Sequence, residues 1–404
     1  MFNRNGNFSF NLAPRKDGKP GEVEVKTCIN LSSYNYLGFA DDWDKTCRAD
    51  VLNALDKFPV SVCSSFAEGG YLSVHRELEL SVAQFVGKED AVIFNMGWAT
   101  NGLGIPSIVG KGCLIISDSL NHNSIVAGAR SSGADVRVFK HNDLDGLEAL
   151  VRKSILDGQP HKNRQWKKIL IAVEGIYSME GESVDLKGVV EIAKRYKCYV
   201  YLDEAHSIGA MGANGRGVCE HTGVDPADVD VLMGTFTKSF GAMGGYIAGS
   251  KEFVRHVRKH TAGFLHDNAM SPIVCQQIIT AFKIMKGEDN TNTGIEKIRR
   301  LRDNSDYFRQ KLIDMGLEVF GSFGSPVIPI MIYNPTKIAA FSRECLKRNL
   351  AVVVVGFPAT PLTMARARFC ISAGHTREEL DLALSKIDEV ATFLMLRYKR
   401  SIFG

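Results

Sequence analysis

Two stretches decide the fold: Tyr199-Val-Tyr-Leu-Asp-Glu-Ala-His206 and, one strand–helix–strand step later, Val231-Leu-Met-Gly-Thr-Phe-Thr-Lys238. In each, a short apolar run gives way abruptly to polar residues. That is the pattern of a strand buried on both faces whose last residues emerge at a sheet edge. Residues 169–173 (ILIAV) and Leu114–Asp118 read the same way. Between two of these runs, Leu186–Tyr196 has a helical period and a basic last turn. Strands alternating with helices predict βαβ units, hence an α/β fold with a mostly parallel sheet covered by helices. Ligands of such sheets bind beyond the carboxyl ends of the strands. The polar residues that follow each strand therefore fall on the functional edge.

Composition bounds the answer from outside. The chain has 404 residues, 45% hydrophobic and 23% charged, which leaves room for two or three globular domains. Lys+Arg 49 against Asp+Glu 45, a net charge of +4, is too balanced to argue for a nucleic-acid partner. Basic stretches at Lys251–His260 and 297–302 read first as solvated helix faces. Their second reading is a docking surface for an acidic substrate or an anionic membrane. The nine cysteines form no CxxC pair and show no zinc-ligand spacing, so thiols in a reducing compartment and no metal site are expected. The first residues lack the apolar core of a signal peptide, and no apolar run approaches the roughly 20 residues of a membrane helix. The chain as given is expected to be soluble and cytoplasmic. A composition break at 287–294 (GEDNTNTG) separates helical patterns, and strand-like runs follow at 326–332 and 351–355. The expected organisation is an N-terminal segment (1–45), a large domain (46–290) and a smaller C-terminal α/β domain (291–404). The N-terminal segment is too short for a core of its own and is expected to join one of the others.

Three groups fall on the expected edge. Asp203 directly follows its strand; a carboxylate there lies in low dielectric and needs a partner, for which a protonated ring nitrogen is suited. Lys238, flanked by Thr, Ser and Gly, is suited to forming an imine, and the neighbouring hydroxyls and N–H groups suit a phosphate. His122, in Asn121-His-Asn-Ser124, can lie flat on an aromatic ring and move a proton. Singly, each has an ordinary reading: Asp203 and Glu204 as helix caps, Lys238 as a solvated lysine, His122 as a structural histidine. Their order along one sheet edge argues for a shared site.

Glu174-Gly-Ile-Tyr-Ser-Met-Glu-Gly181, Asp203-Glu-Ala-His-Ser-Ile-Gly209 and Gly234-Thr-Phe-Thr-Lys-Ser-Phe-Gly241 resemble the α-oxoamine synthases, a fold-type-I family of pyridoxal 5'-phosphate (PLP) enzymes. Ser33-Tyr-Asn-Tyr-Leu-Gly-Phe39, Val353-Val-Val-Gly-Phe-Pro-Ala-Thr-Pro361 and Arg366-Ala-Arg-Phe-Cys370 are similar to one branch of that family, the catalytic subunits of eukaryotic serine palmitoyltransferase. The likeness runs from about Ile29 to the C-terminus. It implies a role for each matching residue. Lys238 would carry PLP, Asp203 would pair with the pyridinium nitrogen, and His122 would stack on the ring. His206 and Ser178 would lie near the phenolic oxygen of the cofactor. Thr235 and Thr237, with the backbone N–H groups of Gly97 and Trp98, would hold the phosphate. Arg368 would bind the amino-acid carboxylate, where a planar bidentate donor is apt. The implied reaction is a decarboxylative Claisen condensation of a small amino acid, serine first, with a long-chain acyl-CoA to give a 3-keto sphingoid base. The resemblance also implies a dimer, homomeric or with a related subunit, whose sites form between subunits. Subunits of this branch usually begin with a membrane segment, so a place at the cytosolic face of the endoplasmic reticulum is a second expectation.

The likeness frays in two places. Phe66 stands where the branch has Arg, and Gly70-Tyr71 where it has Gly-Asn, although His75 and Glu79 follow the pattern. Residues 266–272 (HDNAMSP) replace Tyr-Ala-Thr-Ser-Leu-Ser-Pro, so Asn268-Ala269 stand where a Thr/Ser pair reaches the phosphate of the neighbouring subunit. Phe66 and Tyr71 are expected near the substrate entrance. Two other readings stay open on this ground: a secondary-metabolism relative using alanine or aminomalonate with a long acyl thioester, and a non-catalytic partner subunit. Lys238 argues against the last.

Overall fold

The computed structural model describes residues 8–12, 24–160 and 164–398. The described residues divide into two compact units: those of Trp43–Ser178 with Ser183–Ile298, and those from Arg299 to residue 398 with Met179–Glu182 and those up to Asp42.

The larger unit is built on a seven-stranded sheet. Its order is Asp90–Phe94, Gly245–Gly249, Val231–Thr235, Tyr199–Asp203, Ile169–Glu174, Leu114–Asp118, Asp135–Phe139. All pairings are parallel except the two made by Gly245–Gly249. The central strands are continuous apolar runs because helices cover both faces, and Val231–Thr235 is buried along its whole length. Leu186–Tyr196 forms the helix its period predicts. It buries Leu186, Val189, Val190 and Ala193, starts on the Asp185 cap and stops at Lys197 in the left-handed region. The strands predicted at 169–173, 199–202 and 231–233 each run one or two residues further, to Glu174, Asp203 and Thr235. Those added residues are the polar ones. In register, Asp203 lies beside Glu174 on one neighbour and Met233 on the other, which brings two carboxyl groups together at the carboxyl edge.

The smaller unit has Ala365–Cys370 at the centre of an antiparallel sheet, between Val327–Tyr333 and Val353–Val355. Alternation along the central strand sends Ala367 and Phe369 into the core and leaves Arg366 and Arg368 on the other face. Phe8–Leu12 pairs with Glu24–Asn30, which pairs in parallel with Leu350–Ala351, so the N-terminal segment takes its core from this unit. The run expected at 351–355 is split between two sheets. The composition break is a helix–helix junction: Pro272–Lys286 ends at Gly287, and Thr293–Asp314 begins just beyond. The division between units falls inside that second helix, between Ile298 and Arg299. Among the described residues no helix is long and apolar enough to cross a membrane.

Candidate active site

Asp203 ends its strand with only 3% of its surface exposed. One oxygen accepts from the backbone N–H of Ala205 (2.8 Å) and the other from the Asn101 side-chain amide (2.7 Å), so the carboxylate has a fixed plane. His122 caps the helix Asn123–Ser132, its Nδ1 accepting from the Ser124 N–H, while its own backbone N–H donates to the carboxyl of Glu174. Although the ring is exposed, partial desolvation holds its pKa below the ordinary value; Asp203 opposes that shift and Lys238 adds to it. Glu174 is fully buried, and burial, reinforced by Asp203, pushes its pKa well above the ordinary carboxyl range.

Lys238 is half-buried in the loop that follows Val231–Thr235. That loop is pinned at several points. Phe236 N–H donates to the Gly244 carbonyl (3.0 Å), Ala242 N–H donates to that of Phe236 (3.1 Å), and the Ser239 hydroxyl donates to the carbonyl of Ile208 (2.7 Å). The last bond ties the lysine loop to the loop that follows Asp203. Phe236 and Phe240 sink into an aromatic cluster with Phe85 and Phe282, Phe240 and Phe282 having ring centroids 4.5 Å apart. Thr235, Thr237 and Lys238 are thereby left at the edge.

The same edge holds the start of the helix Gly97–Ile108, which no side chain caps. Its first N–H groups form a ready anion site. Gly97 is required there, since a Cβ would lie 2.7 Å from the Thr235 hydroxyl. The two threonines divide their work. Thr235 is buried and donates its one hydroxyl proton to the Gly244 carbonyl (2.8 Å), so across the 2.8 Å contact between the two hydroxyls Thr237 is the donor. Thr237 is exposed, as is Trp98. Backbone amides, a hydroxyl, a fixed carboxylate and an amine on one edge are the donor and acceptor set that PLP needs, so the residues present fit that cofactor. His206 and Ser178 are both buried in this unit.

Arg368 lies in the smaller unit, 3% exposed. Its guanidinium donates to the Tyr34 hydroxyl, sits 4.9 Å over the Tyr34 ring and meets the Met179 sulfur at 3.7 Å. Arg366, on the same face, is held by the Met179 carbonyl (2.9 Å) and Glu180 (3.1 Å). Asn35 is half-buried, and its side-chain nitrogen is buried without a partner.

The four departures prove to be neighbours. Ser65 bridges Asn268, and Ala269 N–H donates to the Ser64 carbonyl (3.0 Å). Phe66 is buried, stacked on Phe264 at 5.2 Å and edge-on to His75 at 5.1 Å. The Tyr71 hydroxyl donates to Glu79 (2.5 Å), a buried carboxylate also bonded by Arg258 (2.7 Å) and Arg76 (3.2 Å). Phe66, expected near the substrate entrance, is thus a packing residue in this chain. A cavity of about 380 Å³ lined by Lys88, Lys168, Leu170, Tyr199, Val231 and Phe253 lies at the amino ends of the strands, opposite the edge that carries Asp203 and Lys238. Among the described residues no cluster of His, Cys, Asp and Glu is placed to hold a metal.

Sequence reasoning missed Asn101, Glu174 and Tyr34. Asn101 is a buried polar residue in a helix otherwise of small and apolar residues, and that mismatch was the available signal.

Fold and site together define a fold-type-I PLP enzyme. The model of the family described as aminotransferase class I and II matches residues 26–387. Long chain base biosynthesis protein 2a of Arabidopsis thaliana is 57% identical over 93% of this chain and 77% of its own. Serine palmitoyltransferase 2 of Dictyostelium discoideum is 51% identical over 92% of this chain and 76% of its own. A solved structure of serine palmitoyltransferase from S. paucimobilis, with bound PLP–myriocin aldimine, superposes with a TM-score of 0.84 at 28% identity, over 96% of this chain and 93% of that one. The chain belongs to the aminotransferase class I and II family, in the branch of the long chain base biosynthesis protein 2 and serine palmitoyltransferase subunits.

Proposed function

We propose that this chain catalyses the PLP-dependent decarboxylative condensation of L-serine with a long-chain acyl-CoA, giving a 3-keto sphingoid base such as 3-ketodihydrosphingosine. The observation that carries the reading is a convergence at one sheet edge. The Lys238 loop, tied by Ser239 to the loop of Asp203, meets the uncapped helix start at Gly97. The names of the relatives point to the same reaction.

Bound PLP supplies an electron sink for a carbanion at the amino acid's α carbon. The N–H groups of Gly97 and Trp98 would hold the phosphate together with the Thr237 hydroxyl, whose proton would turn from Thr235 to a phosphate oxygen. Asp203 would accept from the ring nitrogen and favour its protonated form. His122 would lie against the cofactor ring, and His206 and Ser178 would hold its phenolic oxygen. Lys238 would hold the cofactor, and its amine would serve as the base that removes the α proton of the amino acid. Arg368 binds the carboxylate, its plane set by Tyr34. The α carbon attacks the thioester carbonyl, CoA leaves as the thiol, and the carboxyl group leaves as CO2. The active unit is read as a dimer. A membrane surface is its proposed setting, for which the exposed Lys251, Arg255 and Lys259 on one helix face suit anionic headgroups.

The test is mass spectrometry of the products formed from serine, alanine, glycine and aminomalonate, each with acyl-CoAs of graded length. Serine with a long acyl-CoA is expected to give the 3-keto base with equimolar CoA. A clear preference for another amino acid, or no product from an enzyme loaded with PLP, would overturn the reading.

A further inference from the structure

Asp203 and His122 must each be held in one orientation, and a single buried residue reaches both. Asn101 is 1% exposed. Its Oδ1 accepts from the Tyr201 hydroxyl at 2.6 Å. Its Nδ2 donates to Asp203 at 2.7 Å and to the Ser124 hydroxyl at 2.9 Å. The Ser124 hydroxyl lies 2.7 Å from His122 Nδ1, and the Ser124 backbone N–H donates to the same nitrogen at 3.2 Å.

Counting protons fixes every direction in this chain. A carboxylate only accepts, so Asn101 must turn its nitrogen toward Asp203. One amide proton goes to Asp203 and the other to Ser124, while Tyr201 supplies the proton for Oδ1. The Ser124 hydroxyl accepts from Asn101, which leaves its own proton to face His122 Nδ1. That nitrogen also accepts the longer Ser124 N–H bond, and the two donors together keep the ring proton off it. The histidine proton is on Nε2.

We propose that Asn101 is a positioning residue of the active site: it orients Asp203 directly and, through Ser124, holds His122 as the Nε2–H tautomer. His122 then offers a hydrogen-bond donor to a substrate oxygen and is not a base. The catalytic meaning rests on the proposed function, but the tautomer is a property of the protein alone.

The test is long-range proton–nitrogen NMR correlation on protein labelled with 15N-histidine, with His122 assigned by comparison with His122→Gln. Spectra are recorded without PLP and again with it. Wild type is expected to show only the Nε2–H pattern for His122 in both. In Asn101→Ala the Ser124 hydroxyl loses its anchor and can turn from the ring, leaving Nδ1 held by the 3.2 Å backbone bond alone, so the Nδ1–H form should become populated. Turnover in that variant should fall about 10- to 100-fold, with the KM for acyl-CoA changing much less. Should Asn101→Ala not fold, Asn101→Leu, of similar volume, replaces it, and the wild-type spectrum is decisive in either case. An Nδ1–H pattern in wild type, or a folded variant that keeps the single Nε2–H tautomer, would overturn the relay. Failure of PLP to attach at Lys238 would instead strike the proposed function and leave the tautomer result standing.

Discussion

Asp203 accepts two hydrogen bonds, from Ala205 N–H and from Asn101. An asparagine in its place can accept only one and must point its own amide protons at the other donor. Asp203→Asn should therefore lose both the charge that favours a protonated ring nitrogen and its fixed plane. Turnover is expected to drop by about 10²-fold or more, with substrate KM changing less. Near-normal turnover would remove Asp203 from the pyridinium role. Arg368 makes a parallel case for the amino acid. Losing one charge-assisted bidentate contact costs about 2–4 kcal/mol, so Arg368→Ala should raise the KM for serine by ~30- to 1000-fold. Steady-state kinetics should show the acyl-CoA KM nearly unmoved. At this scale Lys238, Asp203 and His122 were legible because chain order and strand ends place them together. Asn101 and Glu174 were not, because their importance lies in proton bookkeeping between segments far apart in sequence.

The loop after Asp203 is an element held by a buried carboxyl. Glu204 accepts from the Val218 N–H at 3.0 Å and from the Ser207 hydroxyl, in a pocket that a Cβ on Gly217 would fill. Burial pushes its pKa up to about 7, against the pull of those donors. The folded chain thus keeps the Glu204 proton after the unfolded chain has released it. Its contribution to stability is complete below the ordinary carboxyl pKa and is lost as pH rises to about 7, about 3–4 kcal/mol in all. Glu204→Gln should flatten that loss. Urea denaturation at pH 5 and pH 7.5, comparing variant with wild type, measures it; equal slopes for both proteins would contradict it. The cluster of Glu79, Asp90, Arg76 and Arg258 is a second such element, with Arg258 bonded to both acids. Arg258→Ala leaves buried charge under-compensated and should destabilise by about 3–5 kcal/mol, read as a lower urea midpoint. The sequence placed Lys251–His260 on a solvated face, and the helix does expose Lys251, Arg255 and Lys259, but Arg258 turns inward because two buried carboxylates lie there. No local pattern announced them: Glu79 and Asp90 come from other elements.

For the whole molecule, the βαβ alternation gave the parallel sheet, since continuous apolar strands and periodic helices are local properties. The N-terminal segment's attachment to the C-terminal unit was not local, resting on the pairing of Glu24–Asn30 with Leu350–Ala351. The co-location of Phe66, Tyr71, Asn268 and Ala269 was equally beyond reach, although each departure was visible alone. Large apolar side chains remain exposed on the larger unit, among them Met96, Trp98 and Met243. Sedimentation of the active protein is expected to give twice the chain mass, alone or with a related subunit, and an active monomer would contradict that. The central claim is that Lys238 carries PLP. Borohydride treatment of the yellow holoenzyme, followed by peptide mapping, tests it most directly. Phosphopyridoxyl is expected on the Thr237-Lys238-Ser239 peptide and nowhere else, whereas label on another lysine, or no label from a protein loaded with PLP, would contradict the account.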